Sequence, residues 1–247
     1  MDPENEDCDF FECEPQIEVD DISMIESSMD KFDEVGFDAA TFCGIWNENS
    51  LRIIMYKLFK VYDLLNNAQF DIPLKSLCNF TLEIQAGYFN ENDYHNQEAL
   101  IDCSQAMHYF FTTGKVKSWL KPPDIFAALV ANMMHDYEHP GYTNHFVIRT
   151  KHPLAIRYSD ISVMENHHLA AAFNVMFNVP ECDLLENVGY KDRAVIRKTV
   201  IVMVLNTDLS KHFSLQTELK TKLGNEFPNG SIEDTRLILS VALRLCD

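Results

Sequence analysis

Glycine is scarce in this chain, at 8 of 247 residues. An average protein carries roughly 7%; this one has less than half that. Tight turns that need glycine are therefore few, which disfavours a β-sandwich and favours helices. Lys/Arg-rich runs are also lacking, and the net charge is −18. A nucleic-acid binder needs a basic face to neutralise phosphates, so nucleic acid is excluded as the expected partner. Long apolar runs are absent too. The cleanest, VIVMVL at 200–205, falls far short of the roughly 20 residues of a membrane span. The first residues, MDPENEDCDF, lack the basic and apolar regions of a signal peptide. Seven cysteines, at 8, 13, 43, 78, 103, 182 and 246, form an odd set without metal-finger spacing. Reduced thiols and a cytoplasmic location are the simplest reading.

What is present is a globular composition, 47% hydrophobic and 23% charged, with its charge unevenly spread. Residues 1–35 hold 14 acids and one base, Lys31. Acidity thus belongs mainly to the N-terminal stretch. Residues 1–32 read as an acidic, disordered tail, because few apolar positions offset the entropy of ordering them. Phe10, Phe11, Ile17 and Ile22 are the side chains there that would stick to a surface. Residues 33–247 read as one folded domain.

From residue 50 onward the pattern is helical. Leu51, Ile54, Met55, Leu58, Tyr62 and Leu65 recur at three and four residues, which makes one apolar face of a 3.6-residue period. Further helices are expected near 74–87, 97–112, 124–136, 164–178, 191–206 and 231–247. Pro122-Pro123-Asp124 is a helix entry, since proline suits the first turn and aspartate its free amides. Ser162-x-x-Glu165 has the form of a capping box. No repeat and no sustained alternation calls for a sheet, so the expected architecture is an all-α, compact multi-helix bundle.

Polar residues gather in four short stretches on otherwise apolar helices. They are Tyr94-His95-Asn96 with Asp102 and Gln105, His135 through Asn144, Ser162 through His168, and Thr207 through His212. Asp247 follows the apolar run LILSVALRLC. His135-Asp136 comes directly after ALVANMM, where an ionised carboxylate is costly unless paired or metal-bound. Imidazole with carboxylate suits Zn²⁺ and similar ions. Read singly, each cluster is equally a cap or a packing residue: Glu165 would partner Ser162, and His167 and His168 would pack on a helix surface. A zinc-peptidase reading of His135 and His139 is disfavoured, because such sites carry Glu second in the motif and Pro140-Gly141 breaks the helix.

Taken together and in order, the stretches resemble the class I 3′,5′-cyclic nucleotide phosphodiesterases. That family's motifs run YHNxxHAxDVxQ, HDxxHPGxxN, YxDxSVLENHH, TDMSKH and an ALxxCDxSNP-type segment. This chain has YHNQEALIDCSQ, HDYEHPGYTN, YSDISVMENHH, TDLSKH and a closing ALRLCD. The similarity spans residues 33–247, and FDAATFCGIW with HDYEH leans toward the calmodulin-dependent branch.

The resemblance implies an all-α bundle of the phosphodiesterase/HD type around two divalent ions, Zn and Mg (or Mn). It implies hydrolysis of cAMP and/or cGMP to the 5′-nucleotide by a hydroxide bridging the ions. By position, His95 matches the general acid, and His135, Asp136 and Asp247 match metal ligands. His139, Asn144, Glu165, Thr207 and Asp208 match positions that bind metal waters or orient ligands, and Tyr94 lies beside the acid. Two departures stand out. The family's metal-binding histidine four residues after the acid is Ala99 here, and the neighbouring Glu98 would reach only if the helix shifted. The match also stops at Asp247, inside the last motif, so the domain reads as lacking its C-terminal part. The alternative expectation is therefore a catalytically inactive phosphodiesterase-like scaffold that pairs with a second copy or an active relative.

Overall fold

The computed structural model describes Phe10, Cys13 and residues 22–65, 71–224 and 227–247. Among these residues there are twelve α-helices and no strand. They are α1 (Ile22–Ser28), α2 (Ala39–Trp46), α3 (Ser50–Val61), α4 (Leu74–Ala86), α5 (Gln97–Thr112) and α6 (Pro122–Met134), then α7 (Asn144–Arg149), α8 (Pro153–Arg157), α9 (Val163–Asn178), α10 (Tyr190–Leu205), α11 (His212–Leu223) and α12 (Ile232–Cys246). No helix among the described residues is long and apolar enough to cross a membrane.

The centre of the bundle is α6. Every residue from Ile125 to Met134 is buried, as a helix apolar on all sides requires. Around it pack α4, α5, α9, α10 and α12. Its entry is as read from the sequence: Pro122 and Pro123 occupy the first turn, and the Lys121 amide donates to the Asp124 carboxylate at 2.9 Å. Its exit comes earlier than expected, at Met134, so His135 is the cap and Asp136 lies in the following turn. His135 and His139 therefore share no helix face.

The long amphipathic segments fold as their periods indicate. Leu51, Ile54, Met55 and Leu58 are fully buried on α3. The short helices α1, α2, α7 and α8 and the mostly exposed α11 have too few turns or too little apolar face to show a period. Local capping marks α2, where Asp38 accepts from the Thr41 amide at 2.9 Å and its hydroxyl at 2.7 Å.

The acidic stretch differs in part from the mobile tail expected over residues 1–32. Residues 1–9, 11–12 and 14–21 lie outside the described residues, Phe11 and Ile17 with them. Phe10, however, is buried and stacks on Tyr56 with ring centroids 3.9 Å apart. The Arg52 guanidinium donates to the Cys13 carbonyl at 3.1 Å. Met29 and Phe32 belong to the core, and the Gln105 side chain donates to the carbonyls of Phe32 and Glu34, both at 2.8 Å. Gln105 thus holds chain segments together and takes no part in the polar centre described below.

Between α11 and α12 the Asp234 carboxylate is fully buried, and it accepts from the Asn229 amide at 2.9 Å and Lys222 Nζ at 2.6 Å. These bonds, the Asn229 amide first, hold its carboxyl below the usual carboxylate range. A lowered folded value means that the stabilisation is fully present above the unfolded value of roughly 3.9 and is lost as pH falls through the folded one. Asp234→Asn is accordingly expected to lower the urea midpoint at pH 7, with the gap to the parent protein closing below about pH 4. Urea titrations across that range check this, and a gap independent of pH would contradict it.

Candidate metal centre

The C-terminal end of α6 builds the site. A helix C-terminus leaves carbonyls without helical partners, and one of them, Asn132 O, accepts from His135 Nδ1 at 2.7 Å. A carbonyl only accepts, so Nδ1 carries a proton, and in the neutral form of the ring Nε2 is the nitrogen with the bare lone pair. Fixing the tautomer through a backbone carbonyl is how ligating histidines are commonly prepared. Asp136 is fixed through its backbone: its amide donates to Tyr88 Oη at 3.2 Å, and that hydroxyl donates on to Met133 O. The turn that follows lies against Gly87. The Glu138 amide donates to Gly87 O at 3.0 Å, and a Cβ on Gly87 would fall 2.1 Å from the Tyr137 ring. Only glycine admits that approach.

Asp247 arrives from the end of α12, so that donor atoms of His135, Asp136 and Asp247 all lie within 4.8 Å of one another. His135 Nε2 stands 3.5 Å from Asp136 Oδ2 and 3.8 Å from Asp247 Oδ1. A tetrahedral zinc with bonds of about 2.0–2.2 Å sets its donors roughly 3.3–3.5 Å apart. The set therefore fits a divalent cation with little adjustment. The carboxylates themselves are pulled in opposite directions. Burial raises the Asp247 carboxyl, with Asp136 adding to the rise. Burial also opposes ionisation of Asp136, but His135 and His95 outweigh it and hold that carboxyl well below its usual range.

His95 precedes α5 in a loop clipped by Asn92, whose amide donates to His95 O at 3.1 Å and His139 O at 2.8 Å. Its Nδ1 lies 2.7 Å from Asp136 Oδ2. Burial disfavours the charged ring, yet the Asp136 carboxylate prevails and raises the His95 pKa. His139 stacks on His95 at 3.9 Å between centroids. Burial, then the neighbouring His95, pushes His139 down to about 4. His139 Nδ1 accepts from the Gly141 amide at 3.0 Å, which leaves the proton of the neutral ring on Nε2.

Asn144, Glu165, Thr207 and Asp208 line a cavity of about 860 Å³ together with His95, Asp136, His139 and Asp247, but Ser162 and Glu165 do not form the capping box read in the sequence. Ser162 has φ +40° and makes no cap. Its hydroxyl donates to Asp208 Oδ2 at 2.6 Å. Glu165 accepts from Asn144 Nδ2 at 3.1 and 3.0 Å, and Asn144 Oδ1 caps α9 from outside by accepting from the Met164 amide at 2.8 Å. A side chain distant in sequence wins because it satisfies a helix amide and the Glu165 carboxylate at once. Burial raises the Glu165 carboxyl against that Asn144 bond. Thr207 lies on the rim, its carbonyl accepting from Arg244. The Tyr94 hydroxyl donates to the Asp247 carbonyl at 2.7 Å. All ten residues expected from the sequence thus stand at one centre.

Sequence reasoning missed Tyr88, Asn92 and the inward role of His168. The first two carry no motif of their own; His168 does, as the residue three after Glu165 and so on its helix face. Ala99 is half-buried in the first turn of α5, its amide donating to Asn96 Oδ1 at 3.1 Å. Glu98 is turned away and lines a separate cavity with Asn47, Asn90 and Asn96.

Comparison with known proteins agrees with this arrangement. The family described as 3′5′-cyclic nucleotide phosphodiesterase matches residues 94–247. The human dual specificity calcium/calmodulin-dependent 3′,5′-cyclic nucleotide phosphodiesterase 1C is 37% identical over 202 residues, covering 81% of this chain and 28% of that protein. Mouse 3′,5′-cyclic-AMP phosphodiesterase 4C is 31% identical over 231 residues, covering 94% of this chain and 32% of that protein. The chain therefore spans about a third or less of the length of these relatives. The phosphodiesterase domain of the RhoPDE fusion protein from the choanoflagellate Salpingoeca rosetta superposes with a TM-score of 0.79 at 25% identity, covering 90% of this chain and 68% of that one. Fold, convergent site and matched sequence lead to one conclusion: the chain belongs to the 3′,5′-cyclic nucleotide phosphodiesterase family.

Proposed function

We propose that this chain carries the metal-binding and proton-donating part of an enzyme that hydrolyses cAMP and/or cGMP to the 5′-nucleotide. The observation that supports this best is the meeting of His95, the adjacent pair His135 and Asp136, and Asp247, which come from three separated stretches of the sequence. Divalent ions held there, Zn with Mg or Mn, would lower the pKa of bound water and polarise the phosphoryl oxygens. Asp136 offers its two oxygens to different neighbours, Oδ2 to His95 and His135 and Oδ1 to His168, as a carboxylate shared between two ions must. His95 holds a proton against Asp136 and is placed to pass one to the leaving 3′ oxygen. Asn144, Glu165 and Asp208 orient groups along the cavity wall. The thiols of Cys43, Cys78, Cys103, Cys182 and Cys246, none of them in a disulfide, are in keeping with a cytoplasmic setting.

Ala99 favours a second reading, an inactive scaffold that works by pairing with another copy or a relative, because its methyl group offers no donor. Ala99→His separates the two. Under the enzymatic reading the variant takes up Zn²⁺ more tightly and hydrolyses cyclic nucleotide faster, as read by metal titration and by release of 5′-nucleotide. An unchanged affinity and no turnover in either form would support the scaffold.

A further inference from the structure

The acidic N-terminal stretch meets the bundle through one short turn, in which the Cys13 amide donates to Phe10 O at 3.2 Å. The surface that receives it is made by α3 and α4. Arg52 and Tyr56 stand four residues apart and so on one face of α3. Phe10 stacks on Tyr56, and the buried Arg52 guanidinium lies 5.6 Å from the centre of the Phe10 ring while donating to the Cys13 carbonyl. Cys13 itself reaches α4, where its thiol is in hydrogen-bond contact with the thiol of Cys78. Cys13 is half-buried and Cys78 is buried. Far apart in the sequence, the two sulfurs are brought together only by this docking.

A disulfide needs its sulfurs to close to about 2.05 Å and its Cβ atoms to roughly 3.5–4.5 Å, and thiols that share a hydrogen bond are near that arrangement. The contact with Cys13, then burial, holds the Cys78 thiol protonated far above its usual range, with Arg52 opposing. Cys78 is thus the sheltered thiol, and Cys13 is the one an oxidant in solvent reaches. Cys43, by contrast, has Ser50 and Gln97 as its hydrogen-bond neighbours. We propose that Cys13 and Cys78 form a redox pair that closes to a disulfide under peroxide and locks the acidic N-terminal stretch onto α4. In the first step the Cys13 sulfur attacks a peroxide oxygen: an S–O bond forms, the O–O bond breaks, and water leaves with the thiol proton. The Cys78 sulfur then attacks the sulfenic sulfur of Cys13. The S–S bond forms, the S–O bond breaks, and a second water takes the Cys78 proton. Two thiols are oxidised and one peroxide is reduced to two waters. Thiol reductants reverse the link, as a redox switch in a reducing compartment requires.

The test treats the whole reduced chain with hydrogen peroxide, alkylates the remaining thiols in denaturant and maps the unreduced peptides by mass spectrometry. Two of the seven cysteines are expected to escape alkylation, joined in a Cys13–Cys78 peptide that dithiothreitol splits. Amide hydrogen exchange over residues 10–13 should slow at least tenfold on oxidation and recover on reduction. In Cys78→Ser, Cys13 should stop at the sulfenic acid, which dimedone labels. Phe10→Ala removes no thiol, yet it should slow the linkage about tenfold or more, because the docking that holds the sulfurs together is weakened. A link from Cys13 to Cys8, a link to a second copy of the chain, or seven alkylated cysteines after peroxide treatment would overturn the pair. Unchanged exchange in the linked chain would overturn the lock. The peptide map of the parent chain needs no variant to fold.

Discussion

Asp136→Asn is expected to remove divalent-metal binding from the chain while leaving its helical content intact. Asn fills the same volume and still accepts from His95 and, through its unchanged backbone, donates to Tyr88. What it lacks is the negative charge that both faces of the site share. An outer partner of a metal ligand is typically worth about 10–100-fold in affinity, and a carboxylate contacting His95, His135 and His168 together is expected to exceed that range. Under the proposed function, hydrolysis of cyclic nucleotide falls with the metal. Isothermal titration with Zn²⁺ and Mn²⁺, beside a far-ultraviolet spectrum, measures it. Retained affinity with a native spectrum would show that Asp136 is a buried structural carboxylate and that the centre lies elsewhere.

The second large effect concerns His95. Its replacement by glutamine is expected to lower kcat about 10²–10⁴-fold, the usual worth of a positioned acid, equivalent to roughly 3–5 kcal/mol of barrier. Metal affinity should change far less, since His95 reaches Asp136 through a hydrogen bond and is not among the three closest donors. The decisive comparison is between a cyclic nucleotide and a phosphodiester that releases p-nitrophenolate, which departs without a proton. His95→Gln should lose most of its rate on the first and little on the second. Equal losses on both would mean that His95 orders the loop and donates no proton.

Much of this molecule could be read before folding. Seven of the twelve helices carry long apolar periods or a buried apolar run, and their limits fall within a few residues of expectation. The missed helices are those whose formation depends on neighbours: α7 and α8 are too short to show a period, and α11 buries only Leu215. Phe10 in the acidic stretch finds Tyr56 and Arg52 as a ready-made apolar and cationic surface. No composition argument about that stretch contains the surface on which it docks.

The site divides the same way. Which residue types would gather, and in what order, is written in the five motifs, because imidazoles and carboxylates on apolar helices must find partners when buried. Which nitrogen faces the metal position is not. The tautomers of His135, His139 and His168 are set by the Asn132 carbonyl, the Gly141 amide and the Tyr137 carbonyl, and those groups are aimed by the end of α6 and the turn after it. Ser162 and Glu165 show the cost of local reasoning: a capping box is a bond between neighbours, and Asn144 and Asp208 displaced it from a distance. The sequence alone determined the helical class and the inventory of donors, since both follow from residue type and spacing. Only the tertiary structure decided which lone pairs and protons point at one another, because hydrogen-bond direction belongs to backbone groups whose orientation exists only once the bundle has packed.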